Sequence, residues 1–239
     1  MRLVGVYGGT FNPIHVGHLR AAEEVSEALG LARVLFVPSA VPPHKTDAAH
    51  DGIAPAALRL AWVRLAIADN PGFEVEPIEV ERGGASYLVE TLGALRERLA
   101  PRGEAPVFLV GSDAFAEMGA WRNPERLFAL SHYAVMVRPP RRSGCLTDWL
   151  PAVVRDQIEL APDGRSGRHR HAGTWLRVVE IAGFDVSASD LRRRLHENRS
   201  VRYLLPEPVR EAVLASGAYR APTGPAAAGH RENQLSQQR

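Results

Sequence analysis

The segment from Gly8 to His18, with the sequence GGTFNPIHVGH, constrains the fold of this chain more than any other. It follows the short apolar run Leu3–Tyr7, which is typical of a buried strand. It leads into Val16–Leu29, where apolar residues recur at helical spacing. Two glycines between a strand and a helix let backbone N–H groups come close to an anion, and the helix N-terminus adds partial positive charge. The pattern therefore predicts a phosphate site on a strand–turn–helix unit.

Two histidines, His15 and His18, stand where that helix begins. Because they are three residues apart, their side chains project from the same side of a helix. A glycine pair after a strand is a weak signal by itself, since many tight turns share it. The glycine pair, the proline and the histidine spacing together are specific, and they favour a nucleotide site over an incidental turn.

The rest of the chain alternates apolar runs with helical patterns. Strands are predicted at Val34–Val37, Val107–Val110, Tyr133–Val137 and Leu176–Ile181, with edge strands at Phe73–Val75 and Ile78–Val80. Helices are predicted at Pro55–Ala68, Ser86–Leu99, Pro124–Leu130, Ala188–Glu197 and Val209–Ala215. This alternation predicts an α/β fold: a doubly wound, Rossmann-like parallel sheet with helices on both faces. Residues 141–174 are expected to be irregular, with a helix near Leu150–Gln157 and a mobile polar run at Gly164–Gly173.

Composition bounds the class of protein. The chain has 239 residues, of which 45% are hydrophobic and 23% charged, as in ordinary globular domains. We expect a single domain over residues 1–220 and a disordered tail over residues 221–239. The single cysteine excludes an intrachain disulfide and a cysteine-based zinc site. No apolar segment is long enough to span a membrane, so a cytoplasmic protein is predicted.

Charge gives little guidance on partners, because the net charge is only +2. Arginines cluster near residues 138–142 and 165–171, where we expect solvated loops and helix faces. A third cluster includes Arg192, which follows Ser187 and Ser189 at the start of a predicted helix. Serine hydroxyls and N–H groups at a helix N-terminus, with a nearby guanidinium, favour an anion.

Polar and aromatic residues in other loops suit the same chemistry. Lys45 follows two prolines after the second strand, and Ser86 is a credible N-cap for its helix. Asp113 comes directly after a buried strand, where an acidic side chain can accept hydrogen bonds from ribose hydroxyls. Trp121 lies in loop sequence, so it can either stack on a flat ring or anchor the loop to the core.

Five motifs, in order, resemble the bacterial nicotinate-nucleotide adenylyltransferases of the HxGH nucleotidyltransferase superfamily. They are GGTFNPIHVGH, PPHK, SYLVETL, GSD followed by Trp121, and the run VSASDLR that ends at Arg192. The downstream LLPEPV is also similar to the family's closing segment. Leu88 departs from the family pattern SYTxxTL, in which a threonine holds that position.

The resemblance implies a role for each motif. His15, His18 and Arg192 are expected to be catalytic. ATP is expected to contact Gly8, Gly9, Thr10, Phe11, Gly111, Asp113, Ser187 and Ser189. The acceptor is expected to contact Lys45, Ser86, Tyr87, Leu88 and Trp121. Mg²⁺ would arrive with ATP, and no protein-based metal site is visible in the sequence.

The function implied is transfer of AMP from ATP to nicotinate mononucleotide, which forms nicotinate adenine dinucleotide and pyrophosphate for NAD biosynthesis. Alternative acceptors are nicotinamide mononucleotide and phosphopantetheine, and a nucleotide sensor without catalysis is a rival from another class. No membrane or nucleic-acid partner is expected, although RNA binding by the loop from Arg165 to His171 is a weaker alternative. The sequence leaves open whether the chain forms a homo-oligomer.

Overall fold

The computed structural model describes residues 1–42, 52–138 and 144–220. Within them the strands are β1 (Arg2–Gly9), β2 (Arg33–Pro38), β3 (Phe73–Val75), β4 (Glu104–Gly111), β5 (His132–Val137), β6 (Ile158–Leu160), β7 (Ser166–His169) and β8 (Trp175–Glu180). The helices are α1 (Val16–Leu29), α2 (Ala56–Ala66), α3 (Ile78–Arg82), α4 (Leu88–Leu99), α5 (Ser112–Glu117), α6 (Pro124–Leu130), α7 (Leu146–Trp149), α8 (Ala188–His196) and α9 (Glu207–Ser216). Short 3₁₀ turns follow α4 and α5, and another lies between α7 and β6.

The strands form one sheet in the order β3-β2-β1-β4-β5-β8-β7-β6. The first six strands in this order, from β3 to β8, are parallel to one another. From β1 the chain adds β2 and then β3 on one side of the sheet. The connection from β3 to β4 returns past β1, and the later strands are added on the other side. The predicted doubly wound α/β architecture is therefore confirmed, and β1 and β4 flank the point where the winding reverses.

Alternate residues of the central strands pack into two separate apolar layers. In β4, Val107 and Leu109 join the layer that contains residues of α1, α2 and α9, while Phe108 and Val110 join the layer that contains residues of α4 and α6. This period of two is that of an extended strand, and a strand buried on both faces reads as a continuous apolar run. Helices therefore cover both faces of the sheet, as predicted.

Two predicted elements are wrong in type. The pattern Ile78-Glu79-Val80 alternates like a strand, but the structure has the one-turn helix α3 there, with Pro77 as its N-cap. The Glu81 N–H donates to the Pro77 carbonyl at 2.9 Å, and the Glu79 side chain turns inward. In place of a single helix near Leu150–Gln157, α7 ends before Pro151 and a 3₁₀ turn spans Ala152–Gln157.

The polar run at Gly164–Gly173, which was expected to be mobile, contains strand β7. It pairs antiparallel with β6 on one side and β8 on the other, and it extends the sheet beyond the parallel part. Gly167 lies where a Cβ atom would approach Leu160 Cδ2 to 2.9 Å, so a larger residue would displace the Leu160 side chain. Because the β6–β7 hairpin lies at the margin of the sheet, β7 contains polar residues and lacks the apolar run that predicts a buried strand.

None of the helices in the described part of the chain has the length and apolarity that crossing a bilayer requires. Three predictions concern residues outside the described ranges: the role of Lys45, the surface location of Arg141 and Arg142, and the tail at residues 221–239.

Candidate active site

The carboxyl ends of the parallel strands meet at one edge of the sheet. In the register, Gly9 lies beside Pro38, Gly111 beside Met136, and Val137 beside Glu180. In doubly wound sheets, ligands bind outside this edge, at the point where the winding reverses. Here that point lies between the ends of β1 and β4. The predicted phosphate turn after β1 therefore lies where ligands bind in folds of this kind.

The two histidines of the turn stack on each other. His15 is the N-cap of α1 and His18 lies in its first turn, and their ring centroids are 3.7 Å apart at an interplanar angle of 27°. The His15 backbone N–H donates to His18 Nδ1 at 3.2 Å. Because Nδ1 accepts this bond, the neutral His18 ring carries its proton on Nε2, which can donate to a ligand.

Gly17 provides the space that this stack requires. A Cβ atom on residue 17 would lie 3.1 Å from His15 Nδ1 and 3.2 Å from its Cε1. Such a contact is tighter than ordinary van der Waals packing and would push the imidazole away. The glycine of the HxGH pattern is thus explained by the packing of its first histidine.

Both histidines are neutral at pH 7. Burial, with a smaller contribution from the Arg138 guanidinium, lowers the pKa of His15 to about 4. Burial, then the neighbouring His15, then Arg138, lower the pKa of His18 well below 6.5. His15 Nδ1 is buried and has no hydrogen-bond partner in the structure. The His15 side chain instead faces the His18 backbone N–H in a capping-box arrangement at the start of α1.

Arg138 lies on a solvated surface, as predicted, and it also lies at the carboxyl edge of the sheet. It is exposed, but it directly follows β5 at the same edge of the sheet, and its charge affects the pKa values of Tyr7, His15 and His18. A Cβ atom at Gly183 would approach Arg138 Cβ to 2.9 Å, which shows that the loop after β8 packs against the arginine. A cation at the end of a parallel strand is therefore part of this edge.

The turn between β1 and α1 is fixed by buried polar contacts. Asn12 is buried, its Oδ1 accepts from the Ala54 N–H at 3.0 Å and from the Tyr219 hydroxyl, and its Nδ2 donates to the Gly52 carbonyl. Phe11 adopts a positive φ of 46°, and its ring packs edge-on against His18 at 5.2 Å. These contacts of Asn12 and Phe11 therefore fix the backbone of the proposed phosphate turn.

Arg192 reaches the same turn from α8. Its Nη1 donates to the Asn12 carbonyl at 3.0 Å and its Nη2 to Ser189 Oγ at 3.2 Å. Ser187 is the N-cap of α8, and its hydroxyl accepts from the Asp190 N–H at 3.1 Å. The structure thus brings Arg192 and Ser189, which are about 180 residues away in sequence, to the phosphate turn.

A second, wholly buried arginine connects this turn with the loop after β2. Arg59 on α2 donates from Nη1 to the Thr10 carbonyl at 2.7 Å, from Nη2 to the Ala40 carbonyl at 2.9 Å and from Nε to the Ala54 carbonyl at 2.8 Å. Burial lowers its pKa from 12.5, but an arginine remains charged at any working pH. Because all three bonds go to backbone carbonyls, Arg59 shapes the loops that would contact substrates.

The segment that opens α4 is joined to the loop after β2. The Ala40 N–H donates to Ser86 Oγ at 2.8 Å, and residues 41 and 85 form a parallel bridge. Ser86 was predicted as the N-cap of its helix, but the N-cap is Tyr87, which makes no side-chain cap bond. The Ser86 hydroxyl is instead committed to the neighbouring loop, and this long-range contact has no signature in the local sequence.

The buried carboxylate of Glu79 is hydrogen-bonded to this segment. Glu79 Oε1 accepts from the Thr91 hydroxyl at 2.6 Å, and both side chains are buried. Burial raises the pKa of Glu79, while hydrogen bonds from Thr91 and then Ser86 oppose the rise. Thr91 and Ser86 belong to the SYLVETL motif, so the carboxylate fixes the geometry of that motif.

Asp113 and Trp121 lie in the segment between β4 and α6. Asp113 is the second residue of α5, directly after β4 and Gly111. Trp121 follows the 3₁₀ turn that ends at Ala120, and Tyr87, Leu88 and Trp121 all pack partly buried against the same apolar layer. The predicted residues thus form two groups: the turn after β1 with α8, and the start of α4 with the segment around Trp121.

Asn12, Arg59, Glu79, Arg122, Arg138 and Tyr219 were not among the predicted site residues. Arg59 lies within a helical apolar pattern and Tyr219 follows the last motif, so nothing local marks either as part of a site. The signal that was available concerned Arg138, since a cation directly after a predicted parallel strand must lie at the ligand edge.

Within residues 1–42, 52–138 and 144–220, no group of three or more histidine, cysteine or acidic side chains could hold a metal ion. The donor set at this edge consists of imidazole and guanidinium groups and backbone N–H groups, which suit phosphate oxygens. A hard cation such as Mg²⁺ requires oxygen ligands, so the described residues do not form a cage for it. They fit an anion, and any Mg²⁺ would be held mainly by that anion.

Comparison with known proteins agrees with this arrangement. A sequence profile of the cytidylyltransferase-like family matches residues 6–194. A probable nicotinate-nucleotide adenylyltransferase from Trichlorobacter lovleyi is 43% identical over 217 residues, covering 91% of this chain and 99% of the relative. One from Rubrobacter xylanophilus is 40% identical over 218 residues, covering 91% and 92%.

Solved structures with the same fold include the nicotinic acid mononucleotide adenylyltransferase of Plasmodium falciparum complexed with NaAD. It has a TM-score of 0.68 at 14% identity and covers 92% of this chain and 98% of that one. At such low identity the likeness concerns the fold alone, whereas the family assignment follows from the sequence relatives. On these grounds, this chain belongs to the nicotinate-nucleotide adenylyltransferase family of cytidylyltransferase-like proteins.

Proposed function

We propose that this protein transfers AMP from ATP to nicotinate mononucleotide, forming nicotinate adenine dinucleotide and pyrophosphate. The observation that carries the proposal is the neutral, stacked pair of His15 and His18 at the N-terminus of α1, with Arg192 held against the same turn. The activity of the curated relatives supports the same reaction. We assign it to the cytoplasm, where ATP is available.

The chemistry needs positioning more than proton transfer. An oxygen of the nicotinate mononucleotide 5′-phosphate attacks the α-phosphorus of ATP, and the bond from that phosphorus to the bridging oxygen of the β-phosphate breaks. The electron pair goes to pyrophosphate, and the attacking oxygen is already anionic at neutral pH. No general base is required, and the protein must hold two anions in line and stabilise the charge that develops.

The histidine pair suits this task because it is neutral and fixed. His18 presents Nε2–H as a donor, since its Nδ1 accepts from the His15 backbone. A neutral donor can stabilise charge on the leaving pyrophosphate without the cost of burying an imidazolium before substrate arrives. Arg192 would place a permanent positive charge beside the oxygen atoms of the leaving pyrophosphate.

The other predicted residues divide between the two substrates. We assign Gly8, Gly9, Thr10 and Phe11 to the ATP phosphates. We assign Gly111, Asp113, Ser187 and Ser189 to other contacts with ATP. We assign Ser86, Tyr87, Leu88 and Trp121 to the acceptor. Lys45 would reach phosphate oxygens near the reacting centre, and it lies outside the described residues.

Mg²⁺ would enter with ATP as its chelate and would neutralise part of the triphosphate charge. This chain's own contribution is the set of N–H donors and guanidinium groups that hold the chelate in place. Arg59 keeps the loops after β1 and β2 in register with each other, so that the ATP half and the acceptor half keep one relative geometry.

A pyrophosphate-release assay with ATP and Mg²⁺ tests the proposal. Nicotinate mononucleotide, nicotinamide mononucleotide and phosphopantetheine are compared side by side as acceptors, and formation of the dinucleotide is followed by chromatography. We expect release with nicotinate mononucleotide to exceed release with the other two. Absence of ATP-dependent release with all three acceptors would overturn the proposal, and preference for phosphopantetheine would reassign the substrate.

A further inference from the structure

The loop between β8 and α8, residues 181–186, follows the carboxyl edge of the sheet and leads into the helix that carries Arg192. Its first residue, Ile181, donates its N–H to the Val137 carbonyl at 2.9 Å. The loop ends at Ser187, which is the N-cap of α8. The position of this β8–α8 loop therefore sets the position of the α8 residues that we assign to ATP.

The β8–α8 loop lies beside both Arg138 and the start of α1. A Cβ atom at Gly183 would lie 2.9 Å from Arg138 Cβ and 3.6 Å from its Cδ, so the loop follows the aliphatic part of that side chain. The Phe184 carbonyl oxygen lies 3.8 Å from the position that a Cβ atom on Gly17 would take. A displacement of the loop would therefore disturb the surroundings of the histidine pair as well as the start of α8.

The carboxylate of Glu24, in the middle of α1, holds this loop. Glu24 Oε2 accepts a hydrogen bond from the Ala182 N–H at 2.5 Å, and its Oε1 accepts from Arg20 Nε at 2.7 Å. The Glu24 side chain is 12% exposed, whereas the Arg20 side chain is 44% exposed. Hydrogen bonds to an ionised carboxylate are shorter and stronger than those between neutral groups. The largely buried carboxylate is thus oriented by Arg20 and offers its second oxygen to the loop.

Folding stability does not account for this contact. Ala182 is exposed, so water can take the place of the carboxylate oxygen when Glu24 is replaced. The ion pair with Arg20 joins residues four apart on a helix surface, and such pairs contribute little to stability. The contact instead fixes where the loop lies relative to α1.

The neighbouring carboxylates of α1 make different contacts. Glu23 Oε2 accepts from Asn70 Nδ2 at 3.0 Å, and Glu27 is exposed. The hydrogen bond to Glu24 raises the pKa of Arg20, and the charges of Glu27 and Glu23 raise it further. Among the contacts of the described residues, however, neither Glu23 nor Glu27 has a side-chain bond to the β8–α8 loop. Glu27 therefore offers the same charge on the same helix without the contact.

From this geometry we infer that Glu24 is a positioning residue for the nucleotide half of the site. It fixes the β8–α8 loop, and the loop in turn places Ser187, Ser189 and Arg192 beside the phosphate turn. The inference rests on the proposed function, because that function assigns these three residues to ATP. The acceptor residues lie at the start of α4 and around Trp121, so a change at Glu24 should affect ATP and leave the acceptor unaffected.

Steady-state kinetics of Glu24→Ala and Glu24→Gln, compared with the wild type, test this role. Glu24→Ala removes the acceptor of the Ala182 N–H, and it should raise the KM for ATP about tenfold while changing the KM for nicotinate mononucleotide less than about twofold. Glu24→Gln keeps a side-chain oxygen that can accept the same N–H, so its KM for ATP should stay within about threefold of the wild-type value.

Glu27→Ala is the matched control, because it removes the same charge from an exposed position of α1. It should change neither KM. A purely structural role of Glu24 would reduce the amount of folded enzyme, which lowers the apparent kcat and leaves both KM values unchanged. The inference is overturned if Glu24→Ala leaves the KM for ATP unchanged, if it raises both KM values equally, or if Glu24→Gln loses as much as Glu24→Ala.

Amide hydrogen exchange separates this inference from the proposed function. NMR on the full chain follows the Ala182 amide, whose exchange should become about tenfold faster in Glu24→Ala and stay near that of the wild type in Glu24→Gln. If the wild type releases no pyrophosphate, the proposed function fails, and amide exchange together with the calorimetric Kd for ATP still tests Glu24. Unchanged exchange of Ala182 in Glu24→Ala, or an unchanged Kd for ATP, would overturn the assignment.

Discussion

Two sites near opposite ends of strand β5 contain buried histidines with equally low pKa values. At its start, His132 stacks on Trp175 at a centroid distance of 4.6 Å and an angle of 11°, and its Nδ1 accepts from the Trp175 N–H at 3.0 Å. Beyond its end lies Arg138, whose charge helps to lower the pKa values of the stacked His15 and His18. Burial, with help from nearby arginines, lowers the pKa of both His132 and His15 to about 4.

The difference lies in what the ring nitrogen does. His132 Nδ1 is satisfied by the backbone of the next strand, whereas His15 Nδ1 is buried without a partner. A depressed histidine pKa therefore does not identify a functional site, because both sites have one. The two sites differ in their place in the fold, because His15 lies at the carboxyl edge of the sheet, where ligands bind in doubly wound folds.

The largest expected effect is on catalysis, at the ligand site. His18→Ala removes the Nε2–H donor and should lower kcat about 10²- to 10³-fold while changing the Kd for ATP much less. Steady-state kinetics and calorimetric ATP binding measure the two quantities. Near-normal turnover in this variant would show that the pair is structural, like His132.

Acidification should weaken both sites before substrate binds. Each histidine has a lower pKa folded than its ordinary 6.5, so the unfolded chain binds more protons and stability falls as pH falls from 6.5 towards 4. Between pH 7 and pH 5 the loss should be about 2 kcal/mol for each of His15 and His132, measured by urea unfolding. Saturating ATP should reduce the loss at the His15–His18 pair and leave the loss at His132 unchanged, because phosphate favours the charged form of a neighbouring imidazole.

Replacing the structural histidine should affect folding alone. His132→Phe keeps an aromatic ring against Trp175 but leaves the Trp175 N–H without its acceptor, which should cost about 1–3 kcal/mol of unfolding free energy at pH 7. The cost relative to the wild type should shrink at pH 5, where the histidine is itself unfavourable. Once folded, the variant should keep kcat near normal; a large loss of kcat would show that the two sites are coupled.

The smallest effect concerns the spacing of the ligand site. Gly17→Ala places a Cβ atom 3.1 Å from His15 Nδ1, so the ring must move by a few tenths of an ångström. We expect kcat to fall about tenfold with little change in Tm, because alanine also favours the helix. An unchanged kcat would show that the position of His15 matters less than that of His18.

The strand–turn–helix could be predicted because its information is local. The predicted helix Val16–Leu29 has the bounds of α1, and the apolar runs located the main parallel strands. The edge elements failed for the opposite reason. Ile78-Glu79-Val80 alternates like a strand, but Pro77 and the burial of Glu79 against Thr91 select a helix, and neither influence is visible in a pattern of polarity.

The supports of the site could not be predicted because they depend on distant contacts. Ser86 was expected to cap its own helix, yet it binds the Ala40 N–H 46 residues earlier. Tyr219 reaches Asn12 across 207 residues. A motif names the residues that face a ligand, whereas the residues behind them are chosen by the packing of elements that the motif does not include.

Arg59 has a consequence that reaches beyond holding loops together. Its charge is enclosed by protein and directed at three carbonyl oxygens, so dissolved salt screens it poorly and no ordinary pH removes it. The charge of Arg59 therefore persists at pH values that would neutralise a lysine. The geometry of the loops after β1 and β2 should therefore respond little to ionic strength, whereas contacts made by exposed arginines weaken as salt rises.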